Sequence, residues 1–78
     1  MTAAYVFVQL AGNNLNPQKV HSDVHAVRGV KTVHLVAGPV DMIVFVEVSD
    51  AAELTDAIMG IRGVDGVAST DTRLVFPI

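Results

Sequence analysis

The chain has 78 residues, of which 51% are hydrophobic and 17% are charged, and its net charge is −3 at pH 7. This length predicts a single domain over residues 1–78, and the five scattered basic residues argue against direct binding of nucleic acid. There is no cysteine, no apolar stretch of roughly 20 residues and no signal peptide, so we expect a cytoplasmic protein without disulfides or membrane spans.

The first predicted strand runs from Tyr5 to Leu10, because β-branched and aromatic side chains dominate this segment before the loop sequence AGNN. The first predicted helix follows, with Asn16 as a suitable N-cap residue and Pro17 at the first helical position. Gly29 can adopt the left-handed conformation that ends a helix. One apolar stripe along this helix consists of Val20, Val24 and Val27.

The middle of the chain predicts a hairpin of two strands. Val30 to Ala37 is the second predicted strand, and Met42 to Val48 is the third. Between them, Gly38 supplies backbone freedom and Pro39 fixes φ, which together favour a tight turn.

The second predicted helix opens at Asp50, with Glu53 three residues later as in a capping box, and closes at Gly63. The last predicted strand runs from Thr70 to Phe76, where Pro77 stops it. The apolar stripe of this helix consists of Leu54, Ala57, Ile58 and Ile61.

The element order is therefore β-α-β-β-α-β, and an internal repeat supports it. The segment Val27 to Val33 matches Ile61 to Val67, which lies 34 positions further on, and the same offset aligns Asn16 with Asp50. Two such halves, intercalated, predict an α+β ferredoxin-like fold, in which a four-stranded antiparallel sheet carries both helices on one face.

The other face of this sheet is also predicted to be apolar. Both alternating sets of side chains in the first and third strands are apolar, whereas a face in contact with water should be polar. We therefore expect a sheet-to-sheet dimer, a dimeric α-β barrel, with a monomer that exposes this face as the alternative.

Asp41 stands out as a carboxylate at the start of an apolar strand. It has two interpretations: a turn carboxylate that accepts backbone N–H groups, or part of a ligand site that pairs with an ammonium group. A glycine such as Gly38 lets a ligand approach the backbone closely, which is compatible with the second interpretation.

The whole chain resembles the effector-binding and oligomerisation domain, or RAM domain, of the Lrp/AsnC family of regulators. Each matching segment has little specificity alone, but their order and spacing together are fairly specific. The segments are YVFVQL, VRGVKTV after the first helix, the turn GPVD, which fits that family's G-x-x-D, then MIVFVEV, and finally IRGVDGVASTDTRLV.

This resemblance implies a small-molecule sensing module linked to transcription regulation. It implies a stand-alone version without the family's helix-turn-helix domain, dimers that assemble into octamer-like rings, and full-length Lrp/AsnC regulators as possible partners. Effectors of the family are typically amino acids bound between dimers near the turn, and no cofactor or metal is implied. Carried over by position, the ligand-binding candidates are Gly38, Pro39, Val40 and Asp41, with Thr70 and Thr72 as further hydroxyl donors.

Two other functions remain open at this point. One is a structural adaptor without a ligand. The other is a small dimeric α-β barrel enzyme of the monooxygenase or isomerase type, which would need an apolar cavity holding His34 or Tyr5; we expect no enzyme. His21 and His25 have a spacing that could chelate a metal, but no acidic residue completes a metal motif, and we interpret them as a solvated helix flank.

Overall fold

The computed structural model describes residues 1–12 and 16–76 and confirms the β-α-β-β-α-β order. The strands form one antiparallel sheet in the order β2-β3-β1-β4, so β1 and β3 are central. Pro77, the predicted end of the last strand, lies outside the described residues. The elements are β1 (Thr2–Leu10), α1 (Pro17–His25), β2 (Val30–Leu35), β3 (Met42–Val48), α2 (Ala51–Arg62) and β4 (Val67–Leu74).

Both helices begin at the predicted cap residues. The side chain of Asn16 accepts a hydrogen bond from the backbone N–H of Lys19 at 3.2 Å, and that of Asp50 accepts one from the backbone N–H of Glu53 at 2.9 Å. Each cap satisfies one of the N–H groups that lack a partner in the first turn of a helix. The caps therefore fix where each helix begins.

The hydrophobic core lies between the sheet and the two helices, as the fold predicts. Each helix buries residues of its predicted apolar stripe, although Val27 of the first stripe lies beyond the end of α1, and the central strands β1 and β3 contribute every second residue. The buried core residues are Ala4, Val6, Val8, Val20, Val24, Val30, Val33, Met42, Val44, Val46, Val48, Leu54, Ala57 and Ile61.

The internal repeat has a different register in the structure from the one in the sequence. When the two helix starts are aligned, α2 extends further than α1, since α1 (Pro17–His25) has nine residues and α2 (Ala51–Arg62) has 12. The glycines with positive φ directly before β2 and β4 are Gly29 and Gly66, at 96° and 100°. Gly63 instead caps α2 with a right-handed backbone, so the second half of the repeat is shifted by one helical turn.

The sheet face that the helices leave uncovered, here called the open face, has an apolar centre and polar flanks. Residues paired across antiparallel strands share a face, so the register defines its members. Tyr5 and Phe45 have ring centroids 5.0 Å apart, and Tyr5 is 45% exposed. The centre consists of Tyr5, Phe7, Ile43 and Phe45; the flanks are Thr32 and His34 on β2 and Ser69, Asp71 and Arg73 on β4.

Candidate ligand-binding site

The turn between β2 and β3, here called the GPVD turn (residues 38–41), lies at one end of the sheet. Backbone hydrogen bonds hold it to β1 and to the end of β2. The backbone N–H of Asp41 donates to the carbonyl of Val8 on β1 at 3.0 Å. The carbonyl of Asp41 accepts the N–H of Val36 at 2.9 Å, which closes the hairpin. Gly38 has a φ of 137°, a conformation that favours glycine, so the sequence fits the turn.

The carboxylate of Asp41 is engaged by the backbone of β1. Its Oδ2 accepts a hydrogen bond from the N–H of Leu10 at 2.9 Å. Next to it, the side-chain amide of Gln9 donates to the carbonyl of Pro39. These two contacts, here called the brace, tie the end of β1 to the turn, as the first interpretation of this carboxylate requires. The side chain of Asp41 is nevertheless exposed, so it is also accessible to a ligand.

A groove of about 420 Å³ lies beside the GPVD turn. Its lining includes Asp41, two apolar residues at the end of β2, and residues that end or follow β1 or begin α1: Leu10, Ala11, Gly12 and Pro17. The two at the end of β2, Leu35 and Val36, are 44% and 37% exposed and adjacent in the chain, so they form a small apolar patch beside the turn. The groove therefore combines a carboxylate with accessible apolar surface.

Thr70 and Thr72 lie apart from the GPVD turn within one chain. They pair with Val8 and Val6, so they sit on the helix-covered side of the edge strand β4. The turn contacts β1 from the opposite side, and β1 therefore separates the two threonines from Asp41. Their role in ligand binding stays a prediction, and it needs a second chain or a ligand that spans β1.

The sequence interpretation missed the residues that position the turn. Gln9 is the polar residue in the otherwise apolar strand YVFVQL, and that break in the pattern is the signal that could have identified it. The contribution of Leu10 comes from its backbone N–H, which no side-chain pattern reveals. The apolar pattern places Leu35 and Val36 inside a strand that runs to Ala37, whereas β2 ends at Leu35 and both side chains are exposed.

An ion pair flanks the open face on β4. The guanidinium of Arg73 donates to the carboxylate of Asp71 at 2.9 Å through Nη2, and its Cζ lies 5.7 Å from the ring centroid of Phe7. The hydrogen bond from Arg73 holds the pKa of Asp71 below its ordinary value, and the charge of Arg73 acts in the same direction. The pair thus places polar, charged groups beside the apolar centre of this face.

Replacing Arg73 with glutamine is expected to raise the pKa of Asp71 towards its ordinary value. Because the pKa of Asp71 is lower in the folded state than in the unfolded state, the ion pair stabilises the fold at pH values above the unfolded-state pKa. This stabilisation is lost as the pH falls through the folded-state pKa. A titration followed by the carboxyl carbon resonance of Asp71 measures the change. An identical midpoint in both proteins would contradict the assignment of the shift to Arg73.

One histidine of α1 contacts the sheet. His21 uses Nε2 in a contact of 3.0 Å with the carbonyl of Val33, so it links α1 to β2. Within residues 1–12 and 16–76, no three histidine or acidic side chains come together as a potential metal site. The helices of the described chain are all too short or too polar to cross a bilayer.

The sheet, its two helices and the braced turn together define an α+β module of the ferredoxin-like class. The chain belongs to the Lrp/AsnC ligand binding domain family, whose sequence profile matches residues 3–77. This confirms the resemblance noted in the sequence. No curated protein matches the chain.

Solved structures agree with this assignment. The protein TTHA0845 from Thermus thermophilus is 32% identical with a TM-score of 0.86, and the match covers 100% of this chain and 96% of that one. The structure of FFRP-DM1 is 26% identical with a TM-score of 0.85, covering 97% of this chain and 100% of that one.

A third similar structure is the feast or famine regulatory protein Rv3291c from M. tuberculosis, solved in complex with L-methionine. It is 20% identical with a TM-score of 0.82, and the match covers 100% of this chain but 52% of that protein. Identity at this level shows a shared fold alone. The family profile describes a ligand-binding domain, and Rv3291c is a regulatory protein.

Proposed function

We propose that this protein senses a small molecule, in the first place an amino acid, at the GPVD turn, and that residues 1–78 form one oligomerisation module. The observation that carries the proposal is the accessible carboxylate of Asp41 beside an apolar groove of about 420 Å³. A carboxylate next to aliphatic surface suits a ligand with an ammonium group and an apolar side chain. The methionine complex of Rv3291c supports an amino acid as the ligand class.

The open face is proposed to bind the same face of a second chain. Its apolar centre over β1 and β3, bordered by polar side chains of the edge strands, has the layout of a protein interface with a dry core and a polar rim. In a two-fold dimer, both chains contribute this same face to the interface, so the face must be complementary to itself. The result is the dimeric α-β barrel expected from the sequence.

Dimers are proposed to associate further through the surface around the GPVD turn. The exposed side chains of Leu35 and Val36 supply apolar area beside the turn, and burial between two dimers removes it from water. In such an assembly, the groove becomes a crevice shared by two dimers, and full-length regulators of the same family can join through the same contacts. A ligand in the crevice shifts the association equilibrium only as far as its affinity differs between the assembled and the separate state.

A structural adaptor without a ligand is the second candidate. The brace favours it, because the hydrogen bond from Leu10 to Asp41 gives this carboxylate a structural role whether or not a ligand binds. The enzyme alternative has less support. His34 and Tyr5 both lie on the open face, not in a cavity between sheet and helices.

Two substitutions of Asp41 separate ligand binding from turn bracing. Asp41→Asn keeps a side-chain oxygen for the N–H of Leu10 but removes the charge, whereas Asp41→Ala removes both. If the carboxylate binds an ammonium group, we expect each variant to weaken amino-acid binding by about tenfold or more in isothermal titration, because a hydrogen bond to a charged group contributes about 1.5–3 kcal/mol.

The matched control is Asp23→Asn, which removes a carboxylate from the exposed surface of α1. It is expected to leave the affinity unchanged. Full binding by Asp41→Asn together with loss in Asp41→Ala would assign the residue to bracing alone. Silence of the parent protein towards every amino acid, with an unchanged oligomeric state, would overturn sensing and leave the adaptor.

A further inference from the structure

Strand β4 forms one edge of the sheet, and no strand of the described chain pairs with its outer side. Its inner side bonds to β1, and just past the strand the N–H of Val75 donates to the carbonyl of Ala3 at 2.9 Å. Backbone groups alternate between the two sides of a strand, so every second residue counted back from Val75 also points towards β1. The intervening residues offer their N–H and C=O groups outward. These residues are Thr70, Thr72 and Leu74.

This edge lacks most of the devices that keep edge strands from pairing, which include prolines, unpaired charges and a short length. β4 has eight residues without a proline, and its bulge, at Ala68, lies near its start. Its two charges, Asp71 and Arg73, pair with each other. The opposite edge, β2, has six residues and is interrupted at Lys31. β4 is therefore the edge that is better suited to bind a further strand.

The charge pattern of β4 fits a second copy of the same strand. When two β4 strands run antiparallel about a two-fold axis through Thr72, each residue faces the one equally far beyond the axis. Asp71 of one copy then lies directly opposite Arg73 of the other, and opposite charges in this position stabilise a strand pair. A shift by two residues, the smallest that keeps the faces matched, would place Asp71 against Asp71 or Arg73 against Arg73.

The same register gives a place to the exposed apolar side chains at the end of β4. Leu74 and Phe76 are 65% and 81% exposed, and Leu74 pairs with Ala4 on the helix-covered side of the sheet. In the paired strands, Leu74 of one copy lies opposite Thr70 of the other. One step further along, Phe76 comes level with Ala68. Pairing therefore brings the two exposed apolar side chains of each copy against the start of the other β4.

A cavity of about 360 Å³ lies where Phe76 of the second copy arrives. Arg62, at the end of α2, lines it together with the start of β4. A guanidinium beside an aromatic ring makes a favourable cation–π contact. Backbone direction, charge pattern and apolar contact therefore agree on one register. The lining residues are Arg62, Val67, Ala68, Ser69 and Thr70.

We propose that β4 pairs antiparallel with β4 of a second copy, with Thr72 at the two-fold axis, so that the two sheets become continuous. This contact goes beyond the open-face dimer and does not depend on it, because it uses the outer backbone of β4. A few strand hydrogen bonds and one aromatic side chain bury little surface, so the contact is weak. It forms at submillimolar concentration and not in the micromolar range.

A single cysteine at the axis tests the register, since the chain has no cysteine of its own. In Thr72→Cys, the Cα atoms of the paired cysteines would lie about 5.5 Å apart, within the range of a disulfide. In the matched control Thr70→Cys they would lie about 14 Å apart, because each cysteine faces Leu74 of the other copy. In a glutathione redox buffer, Thr72→Cys is expected to form covalent dimers at least about tenfold faster than Thr70→Cys. Mixing Thr70→Cys with Leu74→Cys should restore fast cross-linking.

Charge reversal with rescue is the second test. In the Thr72→Cys protein, Arg73→Asp places carboxylates opposite each other and is expected to slow cross-linking by about tenfold. Asp71→Arg together with Arg73→Asp restores opposite charges across the axis and should restore most of the rate. Far-ultraviolet circular dichroism confirms that the variants are folded.

The Phe45→Asp substitution separates this contact from the open-face dimer. Phe45 lies on β3, which β1 separates from β4, so cross-linking of Thr72→Cys is expected to stay within about twofold in this variant. Loss of cross-linking there, equal rates for Thr72→Cys and Thr70→Cys, or a rate that ignores Arg73→Asp would each overturn the edge pairing. A parent protein that is monomeric at micromolar concentration refutes the open-face dimer alone and leaves the edge pairing standing.

Discussion

Replacing Phe45 with aspartate is expected to yield a folded monomer. Phe45 lies at the centre of the open face, half-buried against Tyr5 and flanked by Thr32 across the strand pair. Loss of a buried phenylalanine costs about 1.5–3 kcal/mol, and an unpaired buried carboxylate adds several kcal/mol more. The proposed dimer is therefore expected to dissociate about a thousandfold more readily, which light scattering coupled to size-exclusion chromatography measures.

Met59→Asp is the matched control for this experiment. Met59 is also an apolar side chain, 58% exposed, but it lies on α2, on the other side of the sheet. This variant should remain a dimer with the affinity of the parent protein. A parent protein that is monomeric at micromolar concentration, or a Phe45→Asp variant that dimerises normally, would refute the sheet-to-sheet pairing and with it the shared crevice.

Replacing Gly29 with alanine is expected to cause the largest loss of stability among the glycine positions. Its φ of 96° is unfavourable for alanine, and strain of this kind costs about 1–3 kcal/mol. In addition, a Cβ atom at this position would lie 2.6 Å from Cγ1 of Val48, a β-branched side chain with few alternative rotamers. Overpacking adds about another 1–3 kcal/mol, so we expect the melting temperature to fall by about 10 °C or more.

Two further glycines separate the causes of this loss. Gly38→Ala has the unfavourable φ of 137° but no atom within 4 Å of the added Cβ, so only backbone strain applies. Gly12→Ala has neither problem and should change the free energy of unfolding by less than about 1 kcal/mol. Thermal denaturation should rank the losses as Gly29, then Gly38, then Gly12. Equal losses at Gly29 and Gly38 would show that Val48 moves aside at little cost.

Most of the fold could be predicted from the sequence because its local signals agree with one another. The caps at Asn16 and Asp50, the apolar stripes and the Gly38-Pro39 turn all place the elements in the order observed. The boundaries were less accurate. β1 begins at Thr2, since its first alanines form strand through pairing with β3 at Glu47 and Val46, and alanine has little strand preference of its own.

The repeat shows why an alignment within one sequence can mislead. The offset that aligns the helix caps also aligns Gly29 with Gly63, and both occur in the sequence Arg-Gly-Val. The structure instead equates Gly29 with Gly66, because α2 has one more turn than α1. Backbone conformation, and not the identity of the neighbouring residues, decides which glycines correspond.

The position of the GPVD turn could be predicted from the sequence, but its contacts could not. The turn and Asp41 follow from the sequence, whereas the partners of this turn come from β1, some 30 residues away in the chain. Such contacts depend on the strand order, in which β1 lies between β3 and β4. The same order separates Thr70 and Thr72 from the turn, which spacing along the chain does not reveal.

The hydrogen bond from Leu10 to Asp41 has a thermodynamic consequence for any molecule that competes for this carboxylate. A competitor that binds Oδ2 breaks its hydrogen bond with the backbone N–H of Leu10 at the end of β1. Binding of the competitor and the order of this strand end are therefore linked. Thermodynamic linkage makes this effect reciprocal. If the competitor weakens the hydrogen bond at the end of β1 by some factor, then stabilising that strand end weakens binding of the competitor by the same factor. Hydrogen exchange at the Leu10 amide would report that factor from the protein side, and titration calorimetry would report it from the side of the small molecule.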